Sequence, residues 1–235
     1  MSTLVLLHGF TGGPPSFDAL LEHLPDQLIV RPWLAGHGPA PIFVESWDAE
    51  IDRLAALLSR EGIRDAHLVG YSLGGRIAYG LLARAPELFA RATLIGAHPG
   101  LRDRDERDAR RAFDARWIAM LEEEGLDAFI EAWESLPLWS TQPAALRAEL
   151  RATRASHRAE GLAHALRVLG LAAMPPVEPE SITTPIQLVV GARDPKHLAL
   201  AEALAPRLDA TLAVVRRAGH NVLAEAPELV AELLA

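Results

Sequence analysis

The chain has 235 residues, half of them hydrophobic, and a formal net charge of −8. That is enough apolar chain for one domain carrying an insertion, which excludes a disordered segment. The acidic balance excludes a general nucleic-acid or anionic-membrane surface; the lack of cysteine excludes disulfides and fits a reducing cytoplasm.

Met1-Ser2-Thr3 runs straight into the apolar Leu4-Val5-Leu6-Leu7. This run is too short for a signal peptide or membrane span and lacks a basic flank, so a cytoplasmic protein without membrane insertion is expected. It reads as a first strand, Leu4–Leu7. Further strand-like runs follow at Leu28–Arg31, His67–Val69, Ala92–Ile95, Ile186–Val190 and Thr211–Val215. Several are apolar on both faces, as a helix-covered parallel sheet requires. Helical patterns fall at Ser16–Leu24, Trp47–Glu61, Leu73–Ala85, Lys196–Leu204 and Pro227–Leu234, with Gly62 and Pro86 as punctuation near helix ends. The alternation predicts an α/β fold with an open, mostly parallel sheet and helices on both faces. It lapses between Leu101 and Pro179, a stretch with helical pattern, 11 of the 22 arginines and a Met174-Pro175-Pro176 ending. Residues 101–179 are therefore expected to form a helical cap inserted into a core of residues 1–100 and 180–235. No internal repeat or low-complexity segment is present.

Gly70-Tyr71-Ser72-Leu73-Gly74 follows the strand His67–Val69. Its small residues allow a sharp strand-to-helix turn with a serine hydroxyl at the crest. Asp194 and His220 come later, in Gly191-Ala192-Arg193-Asp194 and Ala218-Gly219-His220-Asn221. Ser, Asp, His is the chain order of α/β-hydrolase triads, not of chymotrypsin-like or subtilisin-like ones. A serine needs an imidazole to take its proton, and that imidazole needs a carboxylate to orient it. Read singly, Asp194 is a turn residue before Pro195 and His220 a loop residue; the combination with Ser72 makes them catalytic candidates. His8-Gly9-Phe10-Thr11-Gly12-Gly13 follows the first strand, where this fold takes one N–H of an oxyanion hole, from Phe10; Leu73 supplies the second. A phosphate loop is the rival reading, and it lacks both the Gly-Lys-Ser/Thr and the Gly-x-Gly-x-x-Gly signatures. Gly36-His37-Gly38 reads as a structural turn.

Arg76 stands one helical turn after Ser72, within reach of the same pocket. A cation there points to a carboxylate-bearing substrate, against the plainer reading of an ion pair with a nearby acid. In the cap, Arg107, Arg110 and Arg111 share a helical face, and Arg147, Arg151, Arg154 and Arg158 recur at three- and four-residue spacing. With 13 acidic residues between 102 and 167, most of these arginines are expected to be solvated ion-pair partners. Lys196 is the only lysine, so an arginine at any one position is no sign of selection for its geometry. Spacing alone reads Trp117, Trp133 and Trp139 as packing residues, and His23, His67, His157 and His197 as surface or packing residues. No His/Asp/Glu cluster has metal-site spacing, so no metal or cofactor is expected.

Gly70-Tyr71-Ser72-Leu73-Gly74-Gly75-Arg76, Gly96-Ala97-His98-Pro99-Gly100-Leu101 and Arg217-Ala218-Gly219-His220-Asn221 together resemble one family. It is the 2-succinyl-6-hydroxy-2,4-cyclohexadiene-1-carboxylate synthases of menaquinone biosynthesis, lyases on the α/β-hydrolase fold. The similarity spans nearly the whole chain, including Glu106-Arg107, Ala109-Arg110 and Trp117 in the cap. Gly-x-Ser-x-Gly marks only the superfamily; Gly-Gly-Arg with His-Pro-Gly-Leu is far more specific. The resemblance implies removal of a proton from a cyclohexene polycarboxylate and expulsion of pyruvate, with Ser72, activated by His220 and Asp194, as base and no acyl-enzyme. By position it assigns Tyr71, Arg76, Arg110, Trp133 and Arg154 to substrate binding. Two departures stand out. The family's Asp-x-Pro-Gly-His-Gly turn is here Arg31-Pro32-Trp33-Leu34-Ala35-Gly36-His37-Gly38, and Glu134 follows Trp133 where an aromatic residue can be found. The alternatives are a carboxylesterase or C–C bond hydrolase with the same triad, and a non-catalytic ligand receptor on the same fold. The sequence leaves the oligomeric state open, a monomer included.

Overall fold

A computed structural model describes residues 3–235; Met1 and Ser2, the first two residues of the expected core segment, lie outside them. Six strands, β1 (Thr3–Leu7), β2 (Leu28–Val30), β3 (Ala66–Tyr71), β4 (Phe89–Ile95), β5 (Ile186–Gly191) and β6 (Thr211–Val215), form one sheet in the order β2-β1-β3-β4-β5-β6. All five pairings are parallel. Strand side chains alternate between two apolar layers. Val5, Leu7, Leu68, Leu94 and Leu188 pack with α2 (Trp47–Arg60) and α3 (Leu73–Arg84), while Leu4, Leu6, Val69, Ile95 and Val189 pack against the opposite layer. That opposite layer holds Leu20 of α1 (Asp18–Leu21) and Val230 and Leu234 of the C-terminal helix. Both faces are thus covered, which is why β1 reads as an apolar run through Leu4–Leu7.

Between β4 and β5 the chain forms four helices: α4 (Arg104–Glu123), α5 (Leu126–Glu134), α6 (Ala144–Ala155) and α7 (Ala159–Leu169). Of these, α4, α5 and α7 form a separate small core of Leu121, Phe129, Ile130, Leu162, Ala163 and Leu166. Asp103 caps α4 by accepting from the Glu106 N–H at 2.9 Å. After β5 come α8 (Pro195–Leu204), then, after β6, α9 (Val222–Glu225) and α10 (Pro227–Leu234).

The expected helix Ser16–Leu24 is shorter in the structure. Pro14 and Pro15 start a 3-10 turn at Pro14–Phe17, and α1 then runs only to Leu21. His23 and Leu24 close three-residue turns on Leu20 and Leu21. Pro25 disfavours helical backbone at the residue before it, which ends the element. The short α9 carried no sequence signal of its own.

The loops that follow β1 and β2 are tied to the four-helix segment by buried imidazoles. His8 Nε2 accepts from the Leu34 N–H at 3.1 Å, so its Nδ1 carries the proton and donates to the Gly9 carbonyl at 2.9 Å. His157, between α6 and α7, accepts from the Gly38 N–H at 2.8 Å, and His37 packs edge-on against both rings. Gly36, at φ +79°, lies so close to α7 that a Cβ would meet the Gly161 carbonyl at 2.4 Å. Gly36-His37-Gly38 is therefore a structural turn that docks α7. Burial holds His8 down to about 3 and lowers His37 and His157 as well. His98, after β4, is likewise pushed to about 3 by burial.

These groups give acid sensitivity a sign. Below 6.5 the unfolded chain protonates them while the fold keeps them neutral, so stability falls as pH drops from 6.5 toward 3. Urea denaturation should show a loss of about 1.4 kcal/mol per pH unit for each such imidazole below that point. A stability that is flat from about pH 7 to about pH 5 would contradict this.

Candidate active site

The site sits where β3, β4, β5 and β6 end at their C-terminal edge, the usual crevice of an open α/β sheet. Ser72 joins β3 to α3 with φ +52° and ψ −106°, a backbone region that costs a non-glycine residue of order 1–3 kcal/mol. The turn holds because its surroundings leave no alternative. The Ser72 N–H donates to the Ile95 carbonyl at 2.8 Å, and the Arg76 N–H returns to the Ser72 carbonyl at 3.0 Å. A Cβ at Gly74 would stand 1.9 Å from the Leu7 carbonyl oxygen, and one at Gly70 would stand 2.5 Å from that of Gly74. The two glycines of Gly-x-Ser-x-Gly thus let α3 start directly against β1 and β3.

Asp194 follows β5 and caps α8; His220 follows β6, in a loop pinned by the Gly219 N–H donating to Glu225 Oε2 at 2.9 Å. The topology brings these three residues together across 148 positions of sequence. His220 Nε2 lies 3.0 Å from Ser72 Oγ and its Nδ1 lies 2.7 Å from Asp194 Oδ2. Burial disfavours charge on Asp194, but the contacts from His197 and His220 outweigh it and hold the carboxyl well below the usual range. Burial also lowers the basicity of His220; Asp194 opposes this, and His197 and Lys196 add to it. The result is an ionised carboxylate and a neutral imidazole beside the serine hydroxyl.

A cavity of about 340 Å³ opens above this group, and every predicted site residue except Arg154 lines it. Phe10 and Leu73 flank Ser72, and Leu73 opens α3, whose first main-chain amides have no helical partner. Tyr71 is buried with no hydrogen-bond partner for its hydroxyl among the described residues, and burial keeps the phenol protonated. Trp133 lines the cavity while stacking on Phe129 at 5.5 Å, so it packs and faces the site at once. Arg76 forms no salt bridge among the described residues; its Nη1 donates to the Leu169 carbonyl at the end of α7, at 2.8 Å. Burial and the facing Arg110 push its guanidinium down to about 9, Asp114 opposing, so it remains a cation at neutral pH. Arg110 Nε donates to both oxygens of the buried Asp114, at 2.9 and 3.0 Å, which fixes the guanidinium yet leaves both of its terminal nitrogens outside that contact.

Arg154 is placed differently. It is buried beside a separate, much smaller cavity shared with Tyr71, and its Nη1 donates to Glu134 Oε1 at 2.9 Å. Arg151 takes the other Glu134 oxygen at 2.6 Å. The departure seen at Glu134 thus consumes the charge that the resemblance assigns to substrate. Other arginines of the segment pair as expected, Arg111 with Asp108 and Arg167 with Glu122.

Several wall residues were not anticipated as such, Asp114, His197, Trp139 and His98 among them. Asp114 lies four residues after Arg110 and His197 three after Asp194, spacings that join side chains on a helix and so were readable. Trp139 and His98 face the cavity through tertiary packing alone. Asp194, His197 and His220 also offer three metal-type atoms within 4.8 Å of one another, a cluster that linear spacing hid. Here both imidazole Nδ1 atoms turn to one carboxylate oxygen, an arrangement of hydrogen-bond and ion-pair contacts.

Removing Glu134 should leave Arg154 as an unpaired buried cation. Glu134→Ala is expected to cost about 3 kcal/mol in chemical denaturation, whereas Arg111→Ala, at an exposed pair, should leave the midpoint unchanged. Equal midpoints for both variants would contradict the buried pairing.

The profile of the alpha/beta hydrolase family matches residues 4–233. The 2-succinyl-6-hydroxy-2,4-cyclohexadiene-1-carboxylate synthase of Citrobacter koseri is 35% identical over 235 residues, 99% of this chain and 92% of that protein. That of Salmonella typhimurium is 34% identical over 99% of this chain and 92% of its own length. Among solved structures, MenH from S. aureus has a TM-score of 0.92 at 24% identity, covering 99% of this chain and 91% of that one. A thermophilic esterase from Thermogutta terrifontis has a TM-score of 0.84 at 24% identity, over 100% and 88% of the two chains. These structural likenesses establish the fold; the sequence relatives go further. The chain belongs to the α/β-hydrolase family and, within it, to the 2-succinyl-6-hydroxy-2,4-cyclohexadiene-1-carboxylate synthases, and is an enzyme of that superfamily.

Proposed function

We propose that this protein eliminates pyruvate from 2-succinyl-5-enolpyruvyl-6-hydroxy-3-cyclohexene-1-carboxylate, giving 2-succinyl-6-hydroxy-2,4-cyclohexadiene-1-carboxylate, a lyase step of menaquinone biosynthesis. The observation that carries this reading is Arg76, a half-buried cation beside Ser72 with no salt-bridge partner among the described residues. An ester needs no such group; a substrate with several carboxylates does. The relatives' names supply the particular reaction.

The site supports the steps in order. Neutral His220 takes the Ser72 proton, and Asp194 stabilises the resulting imidazolium. Ser72 Oγ then removes the ring proton next to the succinyl ketone. Charge moves to the ketone oxygen, where the Phe10 and Leu73 N–H groups and the start of α3 stabilise it. As the enolate collapses, the ring carbon–oxygen bond breaks and the enolpyruvyl group leaves, taking a proton delivered from His220 to become pyruvate. The proton lost by the ring equals the one gained by the leaving group, so no water is consumed. Arg76 and Arg110 hold carboxylates, with Tyr71 and Trp133 as further walls. Residues 101–179 serve as a cap that excludes water from the enolate step. Arg154 reaches the substrate only if Glu134 releases it. No cofactor is required by this chemistry, and a cysteine-free chain fits a cytoplasmic setting.

A serine hydrolase on a carboxylate-bearing substrate is the second reading, favoured by the same Ser72–His220–Asp194 distances. It requires an acyl-serine and water; elimination requires neither. Arg76→Ala should lower kcat/KM for pyruvate release by about 10- to 150-fold, the loss of a charge-assisted hydrogen bond worth ~1.5–3 kcal/mol. Arg76→Lys should recover little, since a point charge cannot make a two-pronged carboxylate contact. p-Nitrophenyl esters should be poor substrates for every form. Rapid ester turnover with an acyl-enzyme burst, indifferent to Arg76 and without pyruvate release, would establish the hydrolase instead.

Ser72→Ala, His220→Ala and Asp194→Asn should each remove most activity and combine non-additively, because the three groups act as one unit. A double variant slowed by the product of the two single losses would overturn that unit.

A further inference from the structure

Asp194 serves two imidazoles with a single oxygen. Its Oδ2 lies 2.7 Å from His220 Nδ1 and also 2.7 Å from His197 Nδ1. Among the described residues its Oδ1 receives only the long N-cap bond from the His197 main-chain N–H, at 3.4 Å. The two rings lie against each other, 4.4 Å between centroids and 39° between planes. His197 Nδ1 meets the carboxylate off the axis of its own N–H, so the better-directed bond belongs to His220. His197 also forms part of the wall of the Ser72 cavity.

We propose that His197 is a positioning residue for Ser72, His220 and Asp194, one that draws on the same carboxylate oxygen and weakens the basicity of His220. The inference rests on the catalytic role of these three residues and not on the choice between elimination and hydrolysis. A carboxylate raises the proton affinity of an imidazole by stabilising its cation. Whatever part of Oδ2 is committed to His197 is withdrawn from His220. Positive charge on the His197 ring, 4.4 Å from that of His220, opposes protonation of His220 as well.

The other charged groups facing this pair act in the same direction. Lys196 adjoins it on α8; His98, which faces it from the loop after β4, is held neutral by burial and adds no charge. Arg76 and Arg110 stand behind His98. Asp194 is the only anion in contact with either ring among the described residues. His220 therefore stays neutral, and able to accept the Ser72 proton, to a lower pH than a lone Asp–His pair would allow. The same weakness helps the return step, because a less basic imidazole gives its proton to the leaving group more readily.

His197→Phe keeps the ring and removes bond and charge; His197→Asn keeps an amide donor near Nδ1 and removes only the charge. Imidazole titration by ¹H–¹⁵N NMR on the full chain without substrate, set beside pH profiles of kcat/KM, tests the proposal. In His197→Phe the His220 titration and the acid limb of kcat/KM should both move to higher pH by about half to one unit. His197→Asn should move them less. Identical His220 titration in wild type and His197→Phe, or a change in melting temperature alone, would overturn the proposal. If His197→Phe fails to fold, His197→Asn decides it: a His220 titration identical to that of the wild type overturns it. Absence of pyruvate release from wild type would defeat the lyase reading while leaving the NMR result standing.

Discussion

Everything at this site depends on how tightly the strand-to-helix turn at Ser72 is held. A serine at φ +52° and ψ −106° is not a conformation the residue chooses for itself. It is imposed from three sides: by the bond from the Ser72 N–H to Ile95, by contact of α3 with the Leu7 carbonyl at Gly74, and by the apolar layer that clamps α3 to the sheet. The strain is small compared with the burial of Leu73, Ile77 and Leu81 on that helix, so the fold can sustain it. The consequence is a hydroxyl raised to the sheet edge where the β5 and β6 loops deliver Asp194 and His220. Gly96, after β4, completes the fit. A Cβ there would lie 3.2 Å from the His220 ring, and φ +57° favours a glycine.

Charge in the cavity follows a second constraint, that buried cations must find partners. Arg76 and Arg110 approach each other around one buried acid, Asp114, which moderates their repulsion without covering both guanidinium faces. Arg154 meets its need another way, by closing on Glu134, and so lies outside the Ser72 cavity. Two arginines that the family resemblance treats alike thus have different partners, and one acidic residue makes the difference. A pocket with spare positive charge favours a polyanionic ligand, which is how electrostatics and the relatives' chemistry agree.

The four helices between β4 and β5 are not a loose appendage. Their core touches Phe10 of the loop after β1, and His157 and Gly161 grip the turn that follows β2. Those contacts place Trp133 and Arg110 over the serine by way of packed aromatic rings and neutral imidazoles. The same buried imidazoles make the docking of this segment sensitive to acid.

Much of this was legible in the residues. Short continuous apolar runs and helical stretches of period 3.6 record local burial, and the runs located all six strands to within a few residues, because a strand in a helix-covered sheet is buried on both faces. Gly-x-Ser-x-Gly was readable because a tight turn admits few residue types, and the order Ser, Asp, His because chain order survives folding. Helix ends near Pro25 blurred, since two prolines and a short amphipathic stretch give conflicting local signals. Sequence by itself determined the strands, the turn and the residue types available for catalysis. Only tertiary structure decided which charge meets which. His197 sits against Asp194, Arg154 is spent on Glu134, and Arg76 is bound to a carbonyl at the end of α7. Local patterns encode whether a side chain is buried; the partner it finds there depends on distances between segments that are far apart along the chain, and these exist only once the sheet and the four helices have closed on one another.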